Sequence, residues 1–218
     1  MIKQILDTHT LPDSAEDEVL IRLLFLLQSA RTKYKGEGGD DYYTKLFSGI
    51  LSYKEQDLYS QIKEKFKIKS QCPALPYINA VFNIVPQTFD LEIGIIINES
   101  NLDFITSDNP VIFCNQLFET KKLHSGFEIA NIGIQFFLPI SSKILLCMYD
   151  SDVSFTKHTN KIKKINRMIV NNSYEAIVFK YNTDSSYLID YITKTAEQKA
   201  TSTNPQEVSD NVIEVSNR

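Results

Sequence analysis

Residues 14–31 read SAEDEVLIRLLFLLQSAR, the longest dense apolar segment in the chain. Eight of the nine residues from Val19 to Leu27 are apolar. That is too many for a single stripe, so the spacing predicts a helix covered on most of its sides. Ser14 with Asp17 three positions on fits an N-cap and capping box, and Glu16, Asp17 and Glu18 suit the positive end of the helix dipole. Glu18 and Arg22 are four apart and can pair, which accounts for an arginine among leucines. The helix is expected to run to about Lys33. Near its end Gln28 and Arg31, three apart, bring an amide and a guanidinium to one spot.

Before this helix, residues 1–13 are short and mixed, ending in Leu-Pro-Asp. After it, GEGGDD at 36–41 carries three of the seven glycines and reads as a solvated loop. Its acids lack calcium-loop spacing. Residues 42–67 repeat apolar positions at helical spacing, and Cys72-Pro73-Ala74-Leu75-Pro76 ends the helical region. The texture then changes. LEIGIIIN at 91–98 is β-branched and strand-like, and residues 98–102 turn. Further strands are expected at 104–106, 111–114, 132–140 (with Pro139 closing it or placing it at an edge) and 143–149, with a polar loop over 116–131. A helix follows at 156–173, with Ile162, Ile165, Met168 and Ile169 on its apolar face, then a strand at 176–180 and a last helix over 186–200. Helices first, strands next, then a helix and a strand predict an α+β fold. Its N-terminal helices pack on a mixed or antiparallel sheet. One domain is expected over 1–200, helical over about 14–70 and sheet over about 90–180, with a disordered tail at 201–218.

The totals exclude several classes. A net charge of −4 over 218 residues gives no global attraction for nucleic acid or acidic membranes. The three cysteines, Cys72, Cys114 and Cys147, are far apart and suggest neither a disulfide framework nor a zinc site. His9, His124 and His158 are scattered. The N-terminal residues lack a signal-peptide core and no apolar run reaches membrane-spanning length, so a reducing cytoplasm is the expected compartment. Richness in Lys, Ile and Asn suits an AT-rich bacterial genome.

FITSDNPV at 104–111 is the most distinctive motif. A strand delivers Ser107, Asp108 and Asn109, and Pro110 keeps Asn109 out of the helical region. A carboxylate, an amide and hydroxyls at a strand end could bind a metal, a ribose or a phosphate, or supply a base. From the residues alone the preferred reading is an Asx turn that reverses the chain. Arg31 could clamp a phosphate or carboxylate, or tie helix to sheet, with Asp108 itself as its partner. The lysines of the 156–173 helix read as a solvated face. Asn166, Asn171 and Asn172 could project amides from that helix.

Four segments in order carry a resemblance: Gln28-Ser29-Ala30-Arg31-Thr32, FITSDNPV, LPISSKILLCMYD at 138–150, and Ile165-Asn166 with Asn171-Asn172. With these the chain resembles the bacterial family catalogued as domain of unknown function 4238. FITSDNPV is the specific part. The family's earlier Gln-His-Tyr-Val-Pro-type segment has no match here, since His9 sits in THTLPD, so a truncated or a divergent short member is expected. The family supplies positions rather than a chemistry, and it points to Gln28, Arg31, Asp108 and Asn109 as a set.

Two functions follow. One is a hydrolase or nuclease-like enzyme acting on a phosphate-containing small molecule or nucleic acid. Asp108 and Arg31 would be catalytic, Gln28, Ser107 and Asn109 would bind substrate, and a divalent metal could take part. The other is a non-catalytic protein-interaction or ligand-sensing module, for instance in stress or phage defence.

Overall fold

The computed structural model describes residues 1–33, 35–36, 71–115, 133–150, 162–181 and 186–201. The helix expected over 42–67, most of the 36–41 loop, the 116–131 loop, the start of the late helix, His124, His158 and the tail lie outside the described residues.

Among the described residues five α-helices accompany a four-stranded antiparallel sheet and a two-stranded ribbon, an α+β fold. In chain order these are α1 (Ile2–Thr8), α2 (Ala15–Ala30), α3 (Leu75–Ile84) running into a 3-10 turn (Val85–Thr88), β1 (Leu91–Ile97), β2 (Thr106–Ser107), β3 (Ile112–Asn115), β4 (Ile134–Pro139), β5 (Ile144–Asp150), α4 (Ile162–Asn172), β6 (Ile177–Val178) and α5 (Ser186–Thr201). The sheet order is β1-β5-β4-β3, and β2 pairs with β6.

The start of α2 is built as its sequence predicts. Ser14 Oγ accepts from the Asp17 amide at 3.1 Å, with three acids in the first turn. Ile21 and Phe25 pack against the sheet with Ile5 of α1, Phe136, Leu146 and Met148. Leu26 and Ala30, on another side, pack on Val81 and Val85. The helix is therefore held between the sheet and α3, which is why nearly its whole circumference is apolar. Arg22 is buried too, at 6% exposure. Its guanidinium donates to the Thr88 carbonyl and, at 2.8 Å, to the Leu91 carbonyl. It thus ties α2 to the 3-10 turn and the start of β1, while Glu18 acts on it only through its charge.

The opposite face of the sheet carries Ile112, Phe137, Leu145 and Cys147, covered by Ile162, Ile165 and Ile169 of α4 and Leu188 of α5. Helices on both faces explain the unbroken apolar run of β5, whose residues Ile144 to Met148 are all buried. Pro139 ends β4, and Ser141 Oγ accepts from the amides of Lys143 and Ile144 to close the hairpin. Cys72 is exposed and Cys114 and Cys147 are buried. No helix of the described residues is long and apolar enough to cross a membrane.

Two expectations need correction, and one helix was not expected. Pro76 lies in the first turn of α3, where a proline lacks no helical bond, so the helical region does not end at the prolines but runs on to Ile84. Residues 2–8 form a helix, with Ile5 fully buried. Phe104 and Ile105 are not strand: they fill the second core, and the Ile105 amide donates to Asn166 Oδ1 at 3.2 Å.

Candidate functional site

The FITSDNPV segment and the C-terminal end of α4 form one polar knot. β2 and β6 run antiparallel with Ser107 opposite Ile177, and the Asp108 amide continues this pairing by donating to the Ala176 carbonyl at 3.2 Å. The Asp108 carboxylate then turns to the chain leaving α4. Its Oδ1 accepts from the Tyr174 amide at 3.0 Å and its Oδ2 from the Glu175 amide at 2.7 Å. Ser107 Oγ accepts from the Asn109 amide at 3.2 Å. Asn109 Nδ2 donates to the Asn172 carbonyl, and Asn172 Nδ2 donates to the carbonyls of Asn109 and Val111, each at 2.9 Å. Each contact satisfies a backbone group that the end of a helix or a short strand would otherwise leave open.

One helical turn and a half earlier, Asn166 repeats the device and is fully buried. Its amide nitrogen donates to the Asp103 carbonyl at 2.8 Å and bonds the Tyr187 hydroxyl at 2.6 Å, while its oxygen takes the Ile105 amide. Two side-chain amides of α4 thus clamp the 103–111 segment at both ends. Lys163 and Arg167, on the outer side of α4, sit over the rings of Tyr187 and Tyr191 of α5 at 5.2 Å each. These cations therefore cover aromatic rings.

Gln28 and Arg31 do meet: Arg31 Nε donates to Gln28 Oε1 at 2.8 Å on the exposed end of α2. The structure brings Gln28 to Arg31, and Ser107, Asp108 and Asn109 to one another, but Arg31 and Asp108 form no ion pair. The end of α2 reaches the knot through Lys33 instead, which pairs with the Glu175 carboxylate and lies 5.9 Å from the centre of the Tyr174 ring. Lys33, Tyr174 and Glu175 carry no motif that sequence reasoning could use, whereas Asn172 is visible as one of a run of helix-end amides. Among the described residues no three His, Cys, Asp or Glu side chains are grouped so as to hold a metal ion.

A cleft of about 670 Å³ opens elsewhere, where α2, the 3-10 turn and β1 meet. Asp13, Glu18, Asp90 and Glu92 line it with Arg22 and Phe89. Burial pushes the Arg22 guanidinium below its ordinary value, and the charges of Glu18 and Asp90 push it back up. Tyr149 donates to Glu92 Oε2 at 2.9 Å. Burial, this bond and the Glu92 charge raise its phenol to about 12.

No curated protein and no solved structure is similar enough to the chain to count as a match. A family model does match, over residues 2–183, a span that takes in α1, the knot and the sheet. The chain therefore belongs to the family described as "Protein of unknown function (DUF4238)".

Proposed function

We propose that the protein is a non-catalytic binding module and that FITSDNPV is its structural lock. One observation carries this reading: both carboxylate oxygens of Asp108 are engaged by the backbone amides of Tyr174 and Glu175. A carboxylate held in this way orders the end of α4, which is a helix-end and turn role rather than that of a poised base. Ser107 and Asn109 likewise spend their contacts on backbone groups of the same knot. Such a module acts through its surface, for instance on a protein partner in stress or phage defence.

A second reading draws on Arg31. Its guanidinium is exposed, with Nε fixed by Gln28 and, among the described residues, no bond at the two terminal nitrogens, which suits a phosphate. An enzyme acting on a phosphate-containing substrate would use this clamp with Asp108 as base or as ligand to a divalent metal. The Asp108 carboxylate would then have to leave the Tyr174 and Glu175 amides.

Purified protein incubated with DNA, RNA and nucleoside triphosphates, with and without magnesium or manganese, separates the two readings. The expected result is no turnover above that of Asp108→Ala. Metal-dependent cleavage that is lost in both Asp108→Ala and Arg31→Ala, with each variant still folded, would replace the module by the enzyme.

A further inference from the structure

Among the described residues no strand pairs with the outer edge of β1. The Asn98 amide donates to the Lys143 carbonyl at 2.8 Å, and these two residues continue the register in which Ile97 faces Ile144. Bonded and non-bonded pairs alternate along an antiparallel ladder. Ile96, Gly94 and Glu92 therefore bond to β5, and Leu91, Ile93, Ile95 and Ile97 turn their N–H and C=O groups outward. The Leu91 carbonyl is taken by Arg22. Among the described residues no strand pairs with the other three. Natural edges are usually blunted by proline, lysine or a bulge. LEIGIII has none of these, and Ile97 is 38% exposed.

The cleft opens on the same strand, since Leu91, Glu92 and Ile93 line it. Four acidic residues line it, Glu92 with one carboxylate oxygen taken by the Tyr149 hydroxyl, and the guanidinium at its base is turned to main-chain carbonyls. Phe89 stands beside them at 56% exposure. An extended segment laid along Ile93–Ile97 would bring one end to this acidic hollow, where a cationic side chain gains the charge of the acids, the Phe89 ring already carrying the Arg22 guanidinium 5.7 Å from its centre.

We propose that β1 accepts an extended segment of a partner protein as a fifth strand of the sheet, with a lysine or arginine of that segment seated in the cleft of Asp13, Glu18, Asp90 and Glu92. Main-chain bonds to Ile93, Ile95 and Ile97 hold the segment, and the carboxylates select its charge. This rests on the module reading and names the partner's chemistry.

The test uses the full chain and labelled synthetic peptides of about seven residues, to match β1. One alternates valine and threonine between terminal lysines, a second replaces the lysines by glutamates, and a third carries a central proline. Fluorescence anisotropy is expected to show the lysine peptide binding about tenfold or more tightly than either control, and weakening with salt. Ile95→Pro removes an outward N–H without touching the β5 ladder and should abolish binding. Ile97→Lys, which keeps the backbone, should weaken the lysine peptide by charge repulsion. Asp90→Asn with Glu92→Gln should erase the preference for lysine over glutamate. Absence of binding, equal binding of the lysine and glutamate peptides, or indifference to both edge variants overturns the proposal. A concentration-dependent dimer in sedimentation that Ile95→Pro dissolves would assign the edge to a second copy of the chain and also overturn it. Peptide failure without Asp108-dependent cleavage removes this surface and leaves the module reading standing. Asp108-dependent cleavage removes the module reading whatever the peptides do.

Discussion

Asn109 and Asn172 hold each other by exchanged bonds: each side-chain amide donates to the other's main-chain carbonyl, at 3.0 and 2.9 Å, across 63 positions of sequence. The pair joins the signature segment to the end of α4. The exchange is unequal, because Asn172 also serves the Val111 carbonyl.

Replacing Asn172 by Ala should therefore cost more than replacing Asn109. Asn172→Ala removes two donors from part-buried carbonyls, about 2–3 kcal/mol at roughly 1 kcal/mol per bond plus the carbonyls' desolvation. Asn109→Ala should cost about 1 kcal/mol. Urea unfolding of both singles and the double should give a coupling of about 0.5 kcal/mol or more, as for residues in one network. Equal costs that add would mean the exchange is not formed in solution.

Arg22 should tolerate neither Leu nor Lys. Its two carbonyl partners, Thr88 and Leu91, lie on different elements, and Lys lacks the planar fork that reaches both. Arg22→Leu is expected to cost about 2–4 kcal/mol, the loss of charged donors being offset in part by no longer burying a cation. Arg22→Lys should recover less than half of that. Thermal or urea midpoints check both, and a Lys variant as stable as wild type would show that the charge alone suffices.

Gly94 faces Cys147 in the β1–β5 ladder. A Cβ placed there would stand 2.8 Å from Cys147 Sγ and 3.2 Å from Tyr149 Cε1. Gly94→Ala should lose about 1–3 kcal/mol by overpacking, against the usual gain from replacing a strand glycine. Combining it with Cys147→Ala should cost less than the two single losses together, since the second change clears the contact. An additive double would point away from this clash.

Tyr149 should make alkaline stability pH-dependent. Its phenol is raised to about 12 in the fold, by burial first and then by Glu92, against roughly 10 in an unfolded chain. A group raised in this way contributes fully below pH ~10 and loses that contribution as pH climbs through 12. Melting temperatures of wild type and Tyr149→Phe should differ by a constant amount up to pH ~10 and converge above it. In absorbance at 295 nm, the difference between the two proteins should rise only above pH ~11. An onset near pH 10 would mean that the Tyr149 phenol is not held in its neutral form.

Much of this was legible in the chain and some was not, for physical reasons. α2 announces itself because capping and apolar density are local. β5 reads as buried because an uninterrupted run such as Ile144 to Met148 has no side left for water. Pro73 and Pro76 misled because a proline marks either boundary of a helix, and only the residues that follow decide which. α1 is short and lacks a side-chain cap; the spacing of Ile2, Ile5 and Leu6 was its one signal. The knot shows the deeper limit. Ser107, Asp108 and Asn109 were visible as a polar set, but the Asx turn expected of them is not what forms: Asp108 and Asn109 bond backbone groups of the far end of α4 rather than their own. Their use depends on Asn172, Tyr174 and Glu175, which meet them only in the folded chain. The same holds for Lys33, which reaches Glu175 where Arg31 was the expected tie between helix and strand end.

The ladder has one more consequence, in the order of assembly. β4 and β5 are joined by a four-residue turn, so their pairing needs only a small loop to close. β1 must carry Ile97 back to Ile144 from far upstream, past β2 and β3, and a closure of that kind comes late. Until it happens, the apolar strand from Ile144 to Met148 has one naked flank. The side of the sheet that finishes last in time is thus the side with which no strand pairs among the described residues. A nascent or refolding chain shows the outside world the same boundary twice: first as β5 waiting for β1, then as β1 waiting for whatever comes next.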